Sequence, residues 1–271
     1  MIKSCVTIAL VPSIKSGPWV YWNDLELSIQ KAAALGFDAV ELFTASGSSV
    51  DVNYLKQLLD AHKLELAAVG TGAGKVLHGL TLTDSDEGKR QEAVNFIKSI
   101  IDFGAAFGAP AIIGSMQGNF LNNGRAEALE WLETGMSELN QYVSDKNNVL
   151  LYEPLNRYET NLFNTLGAGA DFLAQCGFRN ILLLADLFHM NIEEKDIPLA
   201  INTYQSQIGH IHFADSNRQA IGFGHTDMSG IAFALKSINY QGYLSAEIFP
   251  LPDSDAAASQ TIESFKKYFR E

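Results

Sequence analysis

Cationic side chains are scarce in this chain. Lys and Arg number 19 against 31 Asp and Glu in 271 residues, a formal net charge of −12. That balance argues against a nucleic-acid backbone or an anionic membrane as the main partner, because both attract a positive field. It leaves room for a small anionic substrate held by a few local cations. Cysteine is nearly absent too. Cys5 and Cys176 make no disulfide framework and have no metal-ligand spacing, so buried, inert thiols are expected. No apolar run approaches the ~20 residues of a membrane span. The opening MIKSCVTIALVPS breaks at Pro12 without a small-residue cleavage site and reads as a first strand rather than a signal peptide. The expectation is a soluble, cytoplasmic protein.

What is present is an alternation along the whole length. Apolar, strand-like segments lie at 3–11, 37–43, 64–70, 111–116, 148–155, 180–187, 208–215 and 242–249. Each precedes a segment with helical signals, at 23–36, 50–63, 84–107, 125–145, 166–176, 196–206, 229–239 and 254–270. Largely apolar strands, each followed by a helix, indicate a parallel sheet covered by helices. Eight such units in ~250 residues match a closed (β/α)8 TIM barrel. No Pro/Gly/Ser-rich linker divides the chain, so one domain spans 1–271, with a doubly wound open sheet as the alternative.

In a barrel, the active site forms where strands end and the next loops begin. Reading the strand ends in order gives Glu41, Glu153, Asp186, His212 and Glu247. Side chains alternate along a strand, so Glu153 shares a face with Leu151, Asp186 with Leu184, His212 with His210 and Glu247 with Ser245. If those partners face the barrel axis, the last four site candidates converge at its upper mouth. Three carboxylates and one imidazole suit a divalent cation, and an oxygen-rich set with one nitrogen favours Mn²⁺, Mg²⁺ or Co²⁺ over a thiolate zinc site. The competing reading makes each acid a solvated strand end or a helix cap.

The loops add further candidates. EPLNRYET carries Arg157 and Glu159 beyond Glu153, and ADSNRQAIGFGHTD carries Arg218, His225 and Asp227 beyond His212. An arginine above a metal can hold a substrate hydroxyl or carboxylate in a fork; its plain alternative is a surface ion pair. His189 is expected on the loop just above the metal, within reach of a substrate oxygen. His62 and His78 have no such setting, and His210 most simply fills a lower layer of the barrel. GTGAG (70–74) lacks both the P-loop ending and the GxGxxG spacing, and reads as a flexible loop. Trp19, Tyr21 and Trp22 could wall a sugar site, and Lys75 or Arg125 could meet a carboxylate.

The segments AALGFDAVEL, YEPLNRYETNLFNT, LLLADLFHMNIEE, HIHFADSNR and LSAEIFP resemble the xylose isomerase-like TIM-barrel superfamily. Within it they are similar to the ketose 3-epimerases of the D-tagatose 3-epimerase type and to the keto-sugar-acid epimerases. The resemblance implies one divalent metal ion, Mn²⁺ foremost with Co²⁺ or Mg²⁺ as alternatives, held by Glu153, Asp186, His212 and Glu247. It implies substrate contacts from Glu159, His189 and Arg218, a sugar or sugar-acid substrate, and a dimer or tetramer. The implied chemistry is epimerisation beside a carbonyl through a cis-enediolate, with Glu153 and Glu247 as the proton-transferring pair.

Rival activities share this scaffold. An aldose–ketose isomerase of the hydroxypyruvate isomerase type would return the proton to the adjacent carbon, and a sugar lyase or dehydratase would expel a β-leaving group. A DNA-repair endonuclease needs extra histidines on the early strands, which offer none. A non-catalytic sugar sensor would not need both glutamates.

Overall fold

In the computed structural model, which describes residues 1–120 and 124–270, the strands close on themselves. The strands are β1 (Lys3–Leu10), β2 (Tyr21–Trp22), β3 (Ala39–Thr44), β4 (Glu65–Gly70), β5 (Ala111–Ile113), β6 (Leu150–Tyr152), β7 (Ile181–Asp186), β8 (Ile208–His212) and β9 (Tyr243–Ala246). All pairings are parallel. β1 and β3 to β9 follow one another in order, and β9 pairs back onto β1, which completes an eight-stranded TIM barrel. The short β2 pairs with β1 at Ile8 and Ala9, just beyond the stretch of β1 that β9 covers.

Around the barrel lie α1 (Leu25–Leu35), α2 (Val52–His62), α3 (Ala73–His78), α4 (Glu87–Ala105), α5 (Arg125–Asp145), α6 (Leu166–Gln175), α7 (Leu187–Glu193), α8 (Ile197–Thr203), α9 (Met228–Ser237) and α10 (Ser254–Phe269). Seven of them start on an aspartate (Asp24, Asp51, Asp86, Asp186, Asp196, Asp227 or Asp253) whose carboxylate accepts from first-turn backbone N–H groups. Part of the acidic surplus therefore neutralises helix N-termini. Among the described residues, no helix is long and apolar enough to cross a membrane.

The main core packs the outer faces of the strands against the helices. Inside the barrel, Ala68, Ile112, Leu151 and Leu184 form a separate layer, with Cys5, Ala39 and Ala67 in another small cluster. Leu151 and Leu184 thus face the axis, as strand parity requires for Glu153 and Asp186 to reach the mouth. On β8 the register slips between Leu183 and Leu184 of β7, passing over Gly209. A side chain at Gly209 would meet Leu151 and Leu182 at 2.9 Å, so glycine lets the strand bend there.

Several elements depart from the sequence pattern, among them β2, which no expected strand covers. Of GTGAG (70–74), expected as a flexible loop, Gly70 closes β4 and Ala73 and Gly74 are buried at the start of a short helix, 73–78. The expected helix at 196–206 ends at Thr203 and gives way to a 3-10 turn. Residues 187–193, with 187 expected to end the strand and the rest to form a loop, are helical because Asp186 accepts from the N–H groups of Phe188 and His189. One residue is here both a strand end and a helix cap, which no periodicity signals.

Candidate active site

β7 and β8 end on Asp186 and His212, which are register partners, while Glu153 and Glu247 are the first residues beyond β6 and β9. Their strands stop where the backbone turns: Pro154 follows Glu153, and the Glu247 N–H donates back to Ser245 O. One donor atom from each of the four side chains lies within 4.8 Å of the others. His212 Nδ1 sits at the centre, 3.3 Å from Asp186 Oδ2, 3.4 Å from Glu153 Oε1 and 3.5 Å from Glu247 Oε2.

Such crowding shifts protons. Burial opposes a charge on His212, yet Glu247 and Glu41 outweigh it and hold the imidazole pKa well above its usual value. Burial likewise opposes the Asp186 carboxylate, but His189, His212 and Arg218 keep it below the usual carboxylate range. For Glu247, burial prevails over the pull of His212 and Arg218 and pushes the acid up to about 7. Three carboxylates around one imidazole are costly to bury without further compensation. Glu153 Oε1 and His189 Nε2 are buried with no hydrogen-bond partner among the described residues. A hard divalent cation between these oxygens and Nδ1 would satisfy the set, so the residues present fit a metal ion.

The loop residues gather above. His189, on α7 rather than on a loop, is buried, and its Nδ1 accepts from the Asn156 N–H at 3.2 Å, with the Asn156 amide also 2.7 Å away. That leaves its proton on Nε2, which points at Glu153 Oε1 (3.8 Å) and Asp186 Oδ2 (3.7 Å). Arg218 donates to Glu247 Oε2 at 2.5 Å and to Glu159 Oε1 at 3.3 Å, and its guanidinium lies over the Phe188 ring. Its backbone is left-handed (φ 57°), tied by its N–H to Asp215 O and by its carbonyl to the Phe249 N–H. The Asp215 carboxylate holds this loop by accepting from the N–H groups of Ser216, Gly222, Gly224 and Thr226.

Glu153, Glu159, His189, Arg218 and Glu247 line a small pocket with a volume of about 170 Å³. Trp19 lines it, packed on Phe43 at a ring separation of 4.2 Å, whereas Tyr21 and Trp22 do not. Lys75 and Arg125 stay outside the lining, with Arg125 donating to Leu162 O. Arg157 takes the plain alternative, a two-pronged ion pair with Glu193 that fastens the β6 loop to α7. His225 and Asp227 belong to the loop and the α9 cap. Glu41 is mid-strand, reaching the pocket wall from beyond His212, and His210 is more than filler because it bonds Glu41 at 2.9 Å. Asn156 and Asp215 were missed as site supports. Both lie inside the motif segments, but Asn156 meets the His189 ring 33 residues further on, and Asp215 gathers backbone N–H groups only once its own loop has folded around it.

Fold and site together define a (β/α)8 barrel with an acidic, metal-competent mouth. The chain belongs to the xylose isomerase-like TIM barrel family, whose model matches residues 29–268. It is 28% identical over 243 residues to the L-ribulose 3-epimerase of Methylomonas sp. (strain DH-1), spanning 87% of this chain and 82% of that one. It is 33% identical over 109 residues to the 3-dehydro-D-guloside 4-epimerase of Escherichia coli (strain K12), spanning 40% and 42% respectively. Among solved structures, a D-allulose 3-epimerase from Methylomonas sp. in complex with D-allulose shares the fold, with a TM-score of 0.79, 23% identity and 98% of both chains covered.

Proposed function

We propose that this chain, a carbohydrate epimerase by its relatives, is a divalent-metal-dependent ketose epimerase that inverts the carbon next to the carbonyl. The observation that carries this reading is the double membership of Glu153 and Glu247. Both belong to the metal-competent quartet, and both line the pocket. Glu153, Asp186, His212 and Glu247 would hold a divalent ion, which would supply Lewis acidity that eases loss of a proton beside a carbonyl. In the sheet, β7 and β8 separate the strands that carry the two glutamates, so these carboxylates approach a substrate from different sides. One removes the carbon-bound proton, and the other, protonated, returns one to the opposite face, with the roles exchanged in the reverse direction. His189 Nε2–H and Arg218 are suited to hold substrate oxygens while this happens, with Glu159 bracing Arg218.

The pocket's charge favours a neutral ketose over a keto-sugar acid or a phosphorylated sugar. Glu41, Glu153, Glu159 and Glu247 line it, with Asp186 just beneath. Among the described lining residues, Arg218 is the one Lys or Arg, and it is already bonded to two glutamates. An anionic group would enter a field that stays negative even with a divalent ion in place.

The test is turnover by metal-stripped protein resupplied with Mn²⁺. D-Fructose, D-tagatose and D-ribulose are offered beside D-fructuronate and D-tagaturonate, with Glu247→Gln as control. Epimerisation of a neutral ketose, lost in the variant, is expected. Turnover of the uronates alone would overturn the substrate class. No turnover of any sugar with metal bound would shift the assignment to an isomerase or lyase on this scaffold.

A further inference from the structure

Behind the quartet lies a group of buried polar side chains that this proton transfer does not use. Glu41 Oε2 is 2.9 Å from His210 Nε2, and Glu41 Oε1 is 3.3 Å from His212 Nε2 by an oblique approach. Glu41, His210 and His212 are at most 4% exposed. An unneeded carboxylate at this depth is costly, and the barrel register sets Glu41 beside Ala68 and His210 beside Leu184, both apolar. His212 presents Nδ1 to Asp186, Glu153 and Glu247 and turns Nε2 the other way, toward Glu41. Nε2 makes no regular hydrogen bond among the described residues, so Glu41 Oε1 is the acceptor at hand.

An imidazole that ligates through Nδ1 carries its proton on Nε2, and the acceptor at Nε2 sets that tautomer. We infer that Glu41 is a positioning residue for the metal centre: it keeps the His212 proton on Nε2 and so leaves Nδ1 free as a ligand. His210 anchors Glu41 by donating from its own Nε2. The inference rests on the metal-centre reading above but not on any particular substrate.

The test is Mn²⁺ affinity and stoichiometry, measured on the full chain by competition with a chromophoric chelator. Wild type is compared with Glu41→Leu, which removes both acceptor oxygens, and with Glu41→Gln, whose amide cannot accept from both imidazoles. Melting in EDTA reports whether each variant folds. One ion per chain is expected, bound about 10–100-fold more weakly by Glu41→Leu, with Glu41→Gln between. In Mg²⁺-loaded wild type, ¹⁵N-resolved NMR should show a His212 Nε2–H shifted downfield and slowed in exchange by its Glu41 acceptor, and in Mg²⁺-loaded Glu41→Leu that proton should move upfield and exchange faster. A folded Glu41→Leu with wild-type affinity and an unchanged His212 Nε2–H signal overturns the inference. If Glu41→Leu does not fold, wild-type affinity in Glu41→Gln overturns it instead. Two ions per chain, one of them lost in the variants, would make the trio a cation site rather than a support. A wild-type protein that binds no ion would sink the metal-centre reading, and this inference with it.

Discussion

A divalent ion bound by the proposed quartet should be lost in acid, and the structure sets how steeply. A metal ligand must be deprotonated, so protons compete with the ion for the same atoms. In the metal-free protein His212 holds its proton well above the usual imidazole range, and Glu247 holds one up to about pH 7. Binding therefore releases one proton between about pH 7 and the His212 value, and approaches two below about 7. Asp186 lies below the usual carboxylate range and stays ionised throughout, so it adds nothing to the slope. The sign follows: affinity falls as pH falls. One released proton is tenfold per pH unit and two are about a hundredfold, so affinity should drop roughly 10³-fold from pH 8 to pH 6. Titration calorimetry at pH 6, 7 and 8, in two buffers of different ionisation enthalpy, measures both the affinity and the protons released. An affinity constant within threefold across that range, with no proton release, would refute the reasoning.

Gly114 faces Glu153 so closely that a Cβ there would collide with Glu153 Oε2. Gly114→Ala should displace this ligand and weaken Mn²⁺ binding by tenfold or more, measured by the same calorimetry; wild-type affinity would show that Glu153 is not held where described. Asp215 accepts four backbone N–H groups in the loop that carries Arg218, and Asp215→Ala leaves all four without that acceptor. About 3 kcal/mol should be lost in urea unfolding, and a loss under 0.5 kcal/mol would mean that the loop is held by other contacts.

The barrel and its quartet were legible because both depend on short-range regularities. Apolar strands ahead of amphipathic segments specify the parallel sheet, and alternation along β6 to β9 turns Leu151 and Leu184 inward beneath Glu153 and Asp186. What stayed hidden depends on contacts between distant residues. The Glu41–His210 bond joins positions 169 apart, and Arg218 meets Glu159 across 59. Nothing local at Glu41 separates a mouth acid from a support one layer down. The helical setting of His189 was hidden for a related reason. A seven-residue helix is too short for a periodic signal, and its start is an aspartate already counted as a strand end.

The central claim is that Glu153 and Glu247 exchange a proton with the carbon beside a ketose carbonyl. It is tested most directly by incubating Mn²⁺-loaded protein with D-fructose, D-tagatose or D-ribulose in deuterated water and reading the label by NMR. Deuterium at C3 of both epimers, absent with Glu247→Gln, is the predicted result. Deuterium at C1 with aldose formation would contradict it, because the proton would then have been returned to the neighbouring carbon.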